Sequence, residues 1–186
     1  MQYIREEIKE KILDIKNLID IEELDSNEGF IYISLLMSRN SLDPNTKTGA
    51  VIVNNYLEIL SCGFNKVPEG YLKHVNWHNN NYSEDWLNSK GPYVIHAERA
   101  AIYNGLKKGK NLNDGMMFAT LFPCNECALT IYESGINRFY YYDDKYHDKE
   151  FSIAARNIFD NCDIHYEQVE ITDNYLKKNI KKIGEL

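Results

Sequence analysis

Two short stretches hold side chains that could do chemistry together: "HAE", His96 to Glu98, and "PCNEC", Pro123 to Cys127. Cysteines three apart at the start of a helix can turn both sulfurs to one point. The free N–H groups and positive dipole end there favour thiolate over thiol. Two soft thiolates and one imidazole select zinc, one ion per chain, held by His96, Cys124 and Cys127. Three protein ligands leave a fourth position for water, which marks catalytic rather than structural zinc sites. Zinc can bring the pKa of such a water to about 7. Glu98, two residues from His96, is then placed to carry protons and not to bind metal. The plainer alternative is an ordinary core histidine with two core cysteines.

These residues need elements to position them. The pattern predicts a helix from His96 to about Lys108, a strand "MMFATL", and a helix from Cys124 to Ser134 stopped by Gly135. A strand "RFYYY", a helix "EFSIAARNIF", a strand "DIHYEQV" and a last helix "DNYLKKNIKKI" follow. Upstream, isoleucines at helical spacing predict an amphipathic helix over residues 3 to 20. Asp25-Ser26-Asn27 offers caps for a second helix, "GFIYISLLMSRN". "TGAVIVNNYLEILSCGFN" predicts a hairpin around a polar turn. From Lys66 to Gly91 the chain has no period and predicts a long loop, of the kind that is usually functional or disordered. Alternating strands and helices imply parallel strands joined by crossover helices. The expected fold is a three-layer α/β/α sandwich on a mixed five-stranded sheet with its last strands parallel. The expected organisation is an N-terminal helical extension (1–25), one catalytic domain (26–170) and a C-terminal helical tail (171–186).

The H-x-E…P-C-x-x-C pattern is the signature of zinc nucleobase deaminases. "HAERAAIYNGLKKGKNLNDGMMFATLFPCNECALTIYESGI" resembles the core of the deoxycytidylate (dCMP) deaminases, within the cytidine deaminase superfamily. "SRNSLDPNTKTGAVIV" resembles that family's opening helix and first strand, "CGFNKVPEG" its G-Y-N-G-x-P-x-G loop, and "DDKYHD" with "AARNIF" its stretch after the fourth strand. The resemblance spans roughly residues 28 to 168 and implies deamination of dCMP to dUMP and ammonia, supplying thymidylate synthesis. It implies zinc on His96, Cys124 and Cys127, with Glu98 carrying protons from water to the pyrimidine N3 and to departing ammonia. It also implies that the Ala97 N–H binds the pyrimidine O2, that the Asn65 amide binds the sugar hydroxyl, and that Leu121 and Phe122 wall the base. Arg39 is the first candidate for gripping the phosphate, with Lys145 and Tyr146 second.

Family members are commonly hexamers, so a homo-oligomer is expected. Many respond to dCTP and dTTP, so a Mg2+–nucleotide triphosphate effector is a further candidate cofactor. Lys66 stands where the family's loop usually has glycine, and must either avoid positive φ or hold strain. His74 and His78 have the spacing of a metal pair on a helix, with no cysteine near in sequence to complete a second zinc site.

The alternatives are an adenosine or cytidine deaminase acting on RNA, and a zinc-stabilised regulatory protein without catalysis. A net charge of -7 argues against duplex nucleic acid as a partner. The charged start lacks a signal-peptide segment, and no stretch is long and apolar enough to span a membrane. A cytoplasmic protein with reduced thiols is therefore expected.

Overall fold

The computed structural model describes residues 26–79 and 85–172. The helices expected over 3–20 and 173–183 lie outside those residues, as do the extension 1–25 and most of the tail 171–186. In chain order the elements are α1 (Asn27–Ser38), β1 (Gly49–Val53), β2 (Ile59–Phe64), α2 (Ala97–Lys107), β3 (Met116–Leu121), α3 (Asn125–Glu133), β4 (Arg138–Asp143), α4 (Glu150–Asn161) and β5 (His165–Gln168).

The sheet runs β2-β1-β3-β4-β5. β1 is antiparallel to both neighbours, whereas β3, β4 and β5 are parallel, so the mixed five-stranded sheet is as expected. The antiparallel edge comes from the hairpin. Its turn closes because Asn54 Oδ1 accepts from the N–H groups of Tyr56 and Glu58, with Leu57 at φ 62°.

Side chains alternate faces along each strand. Ala50, Ile52, Met117, Ala119, Phe139 and Tyr141 meet α2, α3 and α4 residues on one face. Val51, Val53, Met116, Phe118 and Tyr140 meet Phe30 and Ile31 of α1 on the other. Both faces of β1 and β3 are covered, which is why "GAVIV" and "MMFAT" read as continuous apolar runs. Each large side chain buried this way contributes about 1.5–3 kcal/mol. No described helix is long and apolar enough to cross a membrane.

The described part of the segment from Lys66 to Gly91, residues 66–79 and 85–91, holds more local structure than its sequence implies. It carries 3-10 turns at Glu69–Tyr71 and Trp86–Asn88, with a third starting at Gly91. Lys66 and Ile95 exchange two backbone hydrogen bonds, 3.0 and 2.7 Å, that fix the approach to α2. α2 also lies very close to β2. A Cβ on Gly63 would stand 2.2 Å from the Ala101 nitrogen and 2.6 Å from the Ala97 oxygen.

Candidate active site

α2 and α3 begin without the Ser, Thr, Asp or Asn that usually closes a helix start. His96 and Cys124 occupy the two N-cap positions in extended backbone, and neither side chain makes a capping hydrogen bond. Forgoing such a cap costs about 1 kcal/mol per helix. Both side chains turn toward each other instead. His96 Nδ1 lies 3.5 Å from Cys124 Sγ and 3.4 Å from Cys127 Sγ. Tetrahedral zinc, with bonds of about 2.0–2.1 Å to nitrogen and 2.3 Å to sulfur, needs these atoms about 3.6 Å apart. The donor set therefore fits zinc in both chemistry and spacing. Among the described residues it is the one group of three metal-ligating side chains.

The paired sulfurs reinforce this. A hydrogen bond from Cys127, and then His96, lowers the Cys124 thiol to about 4 against the opposing effect of burial. Cys127, fully buried, is pushed up by its bond with Cys124 and by desolvation. The first thiolate forms readily and its negative charge holds back the second. A dication removes that conflict.

Glu98 sits in the first turn of α2 and is 7% exposed. Burial is the main cause raising its carboxyl above the usual range, with His96 opposing. It shares with His96 and Cys124 the wall of a cavity of about 480 Å³, within the size range of small-molecule sites. Leu121, Phe122, Val94 and Phe151 supply apolar wall. Phe122 is fixed by edge contacts to Phe139, Tyr141, Phe159 and Tyr166, and the Arg156 guanidinium lies 4.0 Å from its ring centre. Asp144 in turn holds Arg156 at 2.5 Å.

Residues 25–143 match the family model for the cytidine and deoxycytidylate deaminase zinc-binding region. This chain belongs to that family. Human deoxycytidylate deaminase is 37% identical over 142 residues, covering 76% of this chain and 78% of the human one. A probable deoxycytidylate deaminase of Drosophila melanogaster is 36% identical over 151 residues, covering 79% and 73%. Among solved structures, the cyanophage S-TIM5 dCMP deaminase in complex with dCMP and dUMP superposes with a TM-score of 0.62 at 25% identity. The match covers 81% of this chain and 99% of that one.

On the deaminase frame, the residues singled out from sequence fall into two groups. His96, Glu98, Cys124, Asn65 and Tyr146 line the cavity, and Cys127 lies buried behind Cys124. Ala97 opens α2, where its N–H has no partner within the helix. Asn65 is already engaged: its Oδ1 accepts from Thr48 N at 2.8 Å and its Nδ2 donates to Thr46 O at 2.9 Å. One N–H and one lone pair remain for a ligand.

Arg39 and Lys145 are not on the cavity wall. Arg39 is the exposed C-cap of α1, with its backbone closing the last turn. Lys145 is exposed with its ammonium 4.8 Å from the Tyr146 ring centre. The structure does not bring Arg39 to the cavity wall, because α1 ends with that residue exposed. The helical spacing of His74 and His78 does not hold either, since both are exposed in turns. Lys66 takes the unstrained option: it pairs with Ile95 and is absent from the non-glycine residues at positive φ.

The deaminase's cavity also includes residues that sequence reading passed over, namely Asp43, Thr46, Thr48, Trp86 and Lys90. The Asp-Pro dipeptide at 43–44 is a turn signal that points to Asp43. Nothing local distinguishes Lys90 from a solvated loop lysine.

Proposed function

We infer that this chain is a zinc-dependent dCMP deaminase, in which dCMP and water give dUMP, a thymidylate precursor, and ammonia. The observation that carries this reading is the convergence of two thiols and an imidazole beside buried Glu98 on a nucleotide-sized cavity. His96, through Nδ1, Cys124 and Cys127 would hold the metal. When bound, zinc supplies Lewis-acid activation of water at neutral pH.

Glu98 does the proton transfers. As carboxylate it takes a proton from the attacking water and delivers it to the pyrimidine N3; it then takes the remaining proton from the new C4 hydroxyl and gives it to the departing amine, so that ammonia leaves as the C4 carbonyl forms. Burial favours its neutral form, which suits a group that must give back what it takes. The Ala97 N–H is offered to the pyrimidine O2, and the spare Asn65 amide capacity to the sugar hydroxyl. Leu121 and the braced Phe122 wall the ring and exclude bulk water. Tyr146 remains on the phosphate side. The family resemblance supports a cytoplasmic homo-oligomer, in which Lys66 in place of the family's glycine leaves a magnesium–nucleotide triphosphate only a weak effector.

A panel of dCMP, deoxycytidine, dCTP, CMP and tRNA, read by ammonia release, tests the assignment. dCMP should have the highest kcat/KM. Turnover of RNA with none of dCMP would replace this reading with an RNA deaminase.

A further inference from the structure

A phosphate dianion entering a largely apolar cavity needs a fixed cation, since desolvating it unpaired is costly. Of the residues lining this cavity, all among the described ones, Lys90 is the one Lys or Arg. It is 6% exposed, and its Nζ lies 2.8 and 2.6 Å from the two carboxylate oxygens of Asp43, itself 2% exposed. An ammonium has three donors, so one N–H is left after Asp43.

Asp43 is in turn anchored by the chain: its Oδ1 also accepts from Asn45 N at 2.9 Å and Thr46 N at 3.2 Å. Thr46 is bound through its carbonyl to Asn65 Nδ2. A continuous set of contacts thus runs from the sugar-side amide of Asn65 through Thr46 and Asp43 to Lys90. Asn65 and Lys90 both line the cavity, so a ligand that reaches the one by its sugar has the other on the same wall. A donor already buried and held pays no reorganisation when ligand arrives.

Resting on the reading of dCMP as substrate, we propose that Lys90, oriented by Asp43, recognises the 5′-phosphate and so sets the preference for nucleotide over nucleoside. The ordinary alternative is a tie between the segments around residues 43 and 90, which would support turnover of every substrate alike.

The experiment compares kcat/KM for dCMP and deoxycytidine in wild type, Lys90→Met, Lys90→Arg and the Asp43→Asn/Lys90→Met double variant, each with its Tm and zinc content. Enzyme concentrations are raised until nucleoside turnover is measurable. Losing one hydrogen bond to a charged group corresponds to about 10- to 100-fold. Lys90→Met should lower kcat/KM for dCMP by that factor beyond any loss on deoxycytidine, and Lys90→Arg should restore most of the difference. If Lys90→Met does not fold, the double variant, which removes both charges together, must show the same selective loss. Equal losses on both substrates, or an unchanged ratio in folded protein, overturn the proposal. A wild-type enzyme without dCMP turnover would instead overturn the substrate assignment.

Discussion

Replacing Gly63 by alanine perturbs the placement of Glu98 without touching the cavity. The new Cβ would stand 2.2 Å from Ala101 N and 2.6 Å from Ala97 O, where ordinary contact begins near 3.4 Å. Both neighbours are backbone, so no side chain can swing away. α2 must retreat from β2 by about 1 Å, carrying Ala97 and Glu98 with it. Overpacking of this kind costs about 1–3 kcal/mol, or a Tm lower by about 2–12 °C. A misplacement of about 1 Å at reacting groups can cost about 10²-fold in rate. The assay is kcat/KM for dCMP with thermal unfolding and zinc content on the same samples. Gly70→Ala, where a Cβ meets nothing within 4 Å, is the control and should be neutral. Activity within about twofold of wild type at unchanged Tm in Gly63→Ala would refute the reasoning, because α2 would then not be held by this contact.

Further outcomes follow from the same geometry. Cys124→Ala should lose zinc by elemental analysis together with turnover, since two ligands no longer close the set. Arg39→Ala should leave the dCMP to deoxycytidine ratio of kcat/KM within about twofold, because its guanidinium is outside the cavity; a larger fall would return Arg39 to the phosphate site. With Lys66 in place of the family's glycine, dCTP with magnesium should change activity at low dCMP little. Typical allosteric couplings are only about 1–3 kcal/mol, and a strongly sigmoidal dCMP curve made hyperbolic by dCTP would contradict this.

The chemistry was legible in sequence because its residues are local to two helix starts. His96-x-Glu98 and Cys124-x-x-Cys127 each fit within one turn, so each half shows as a local motif, while the fold brings the two halves together. The sheet was legible for a similar reason, since the runs at 49–53 and 116–121 are covered on both faces by neighbouring elements. Contacts distant along the chain were not legible. Lys90 is buried in an ion pair with Asp43, 47 positions earlier, and no periodicity records that pairing. That Arg39 stands off the cavity wall was not legible either, because the direction of a residue capping a helix is set by how α1 packs on β1. At Lys66, backbone pairing with Ile95 removes the need for positive φ that the family's glycine implied.

Glu98→Ala separates holding metal from moving protons, because zinc content and turnover report the two roles independently. Zinc content and dCMP turnover are determined on the same purified sample beside wild type. One zinc per chain is expected in each, with turnover of the variant lower by at least about 10²- to 10⁴-fold. Zinc lost along with activity would make Glu98 a ligand, and turnover near wild type with zinc retained would remove it from the chemistry.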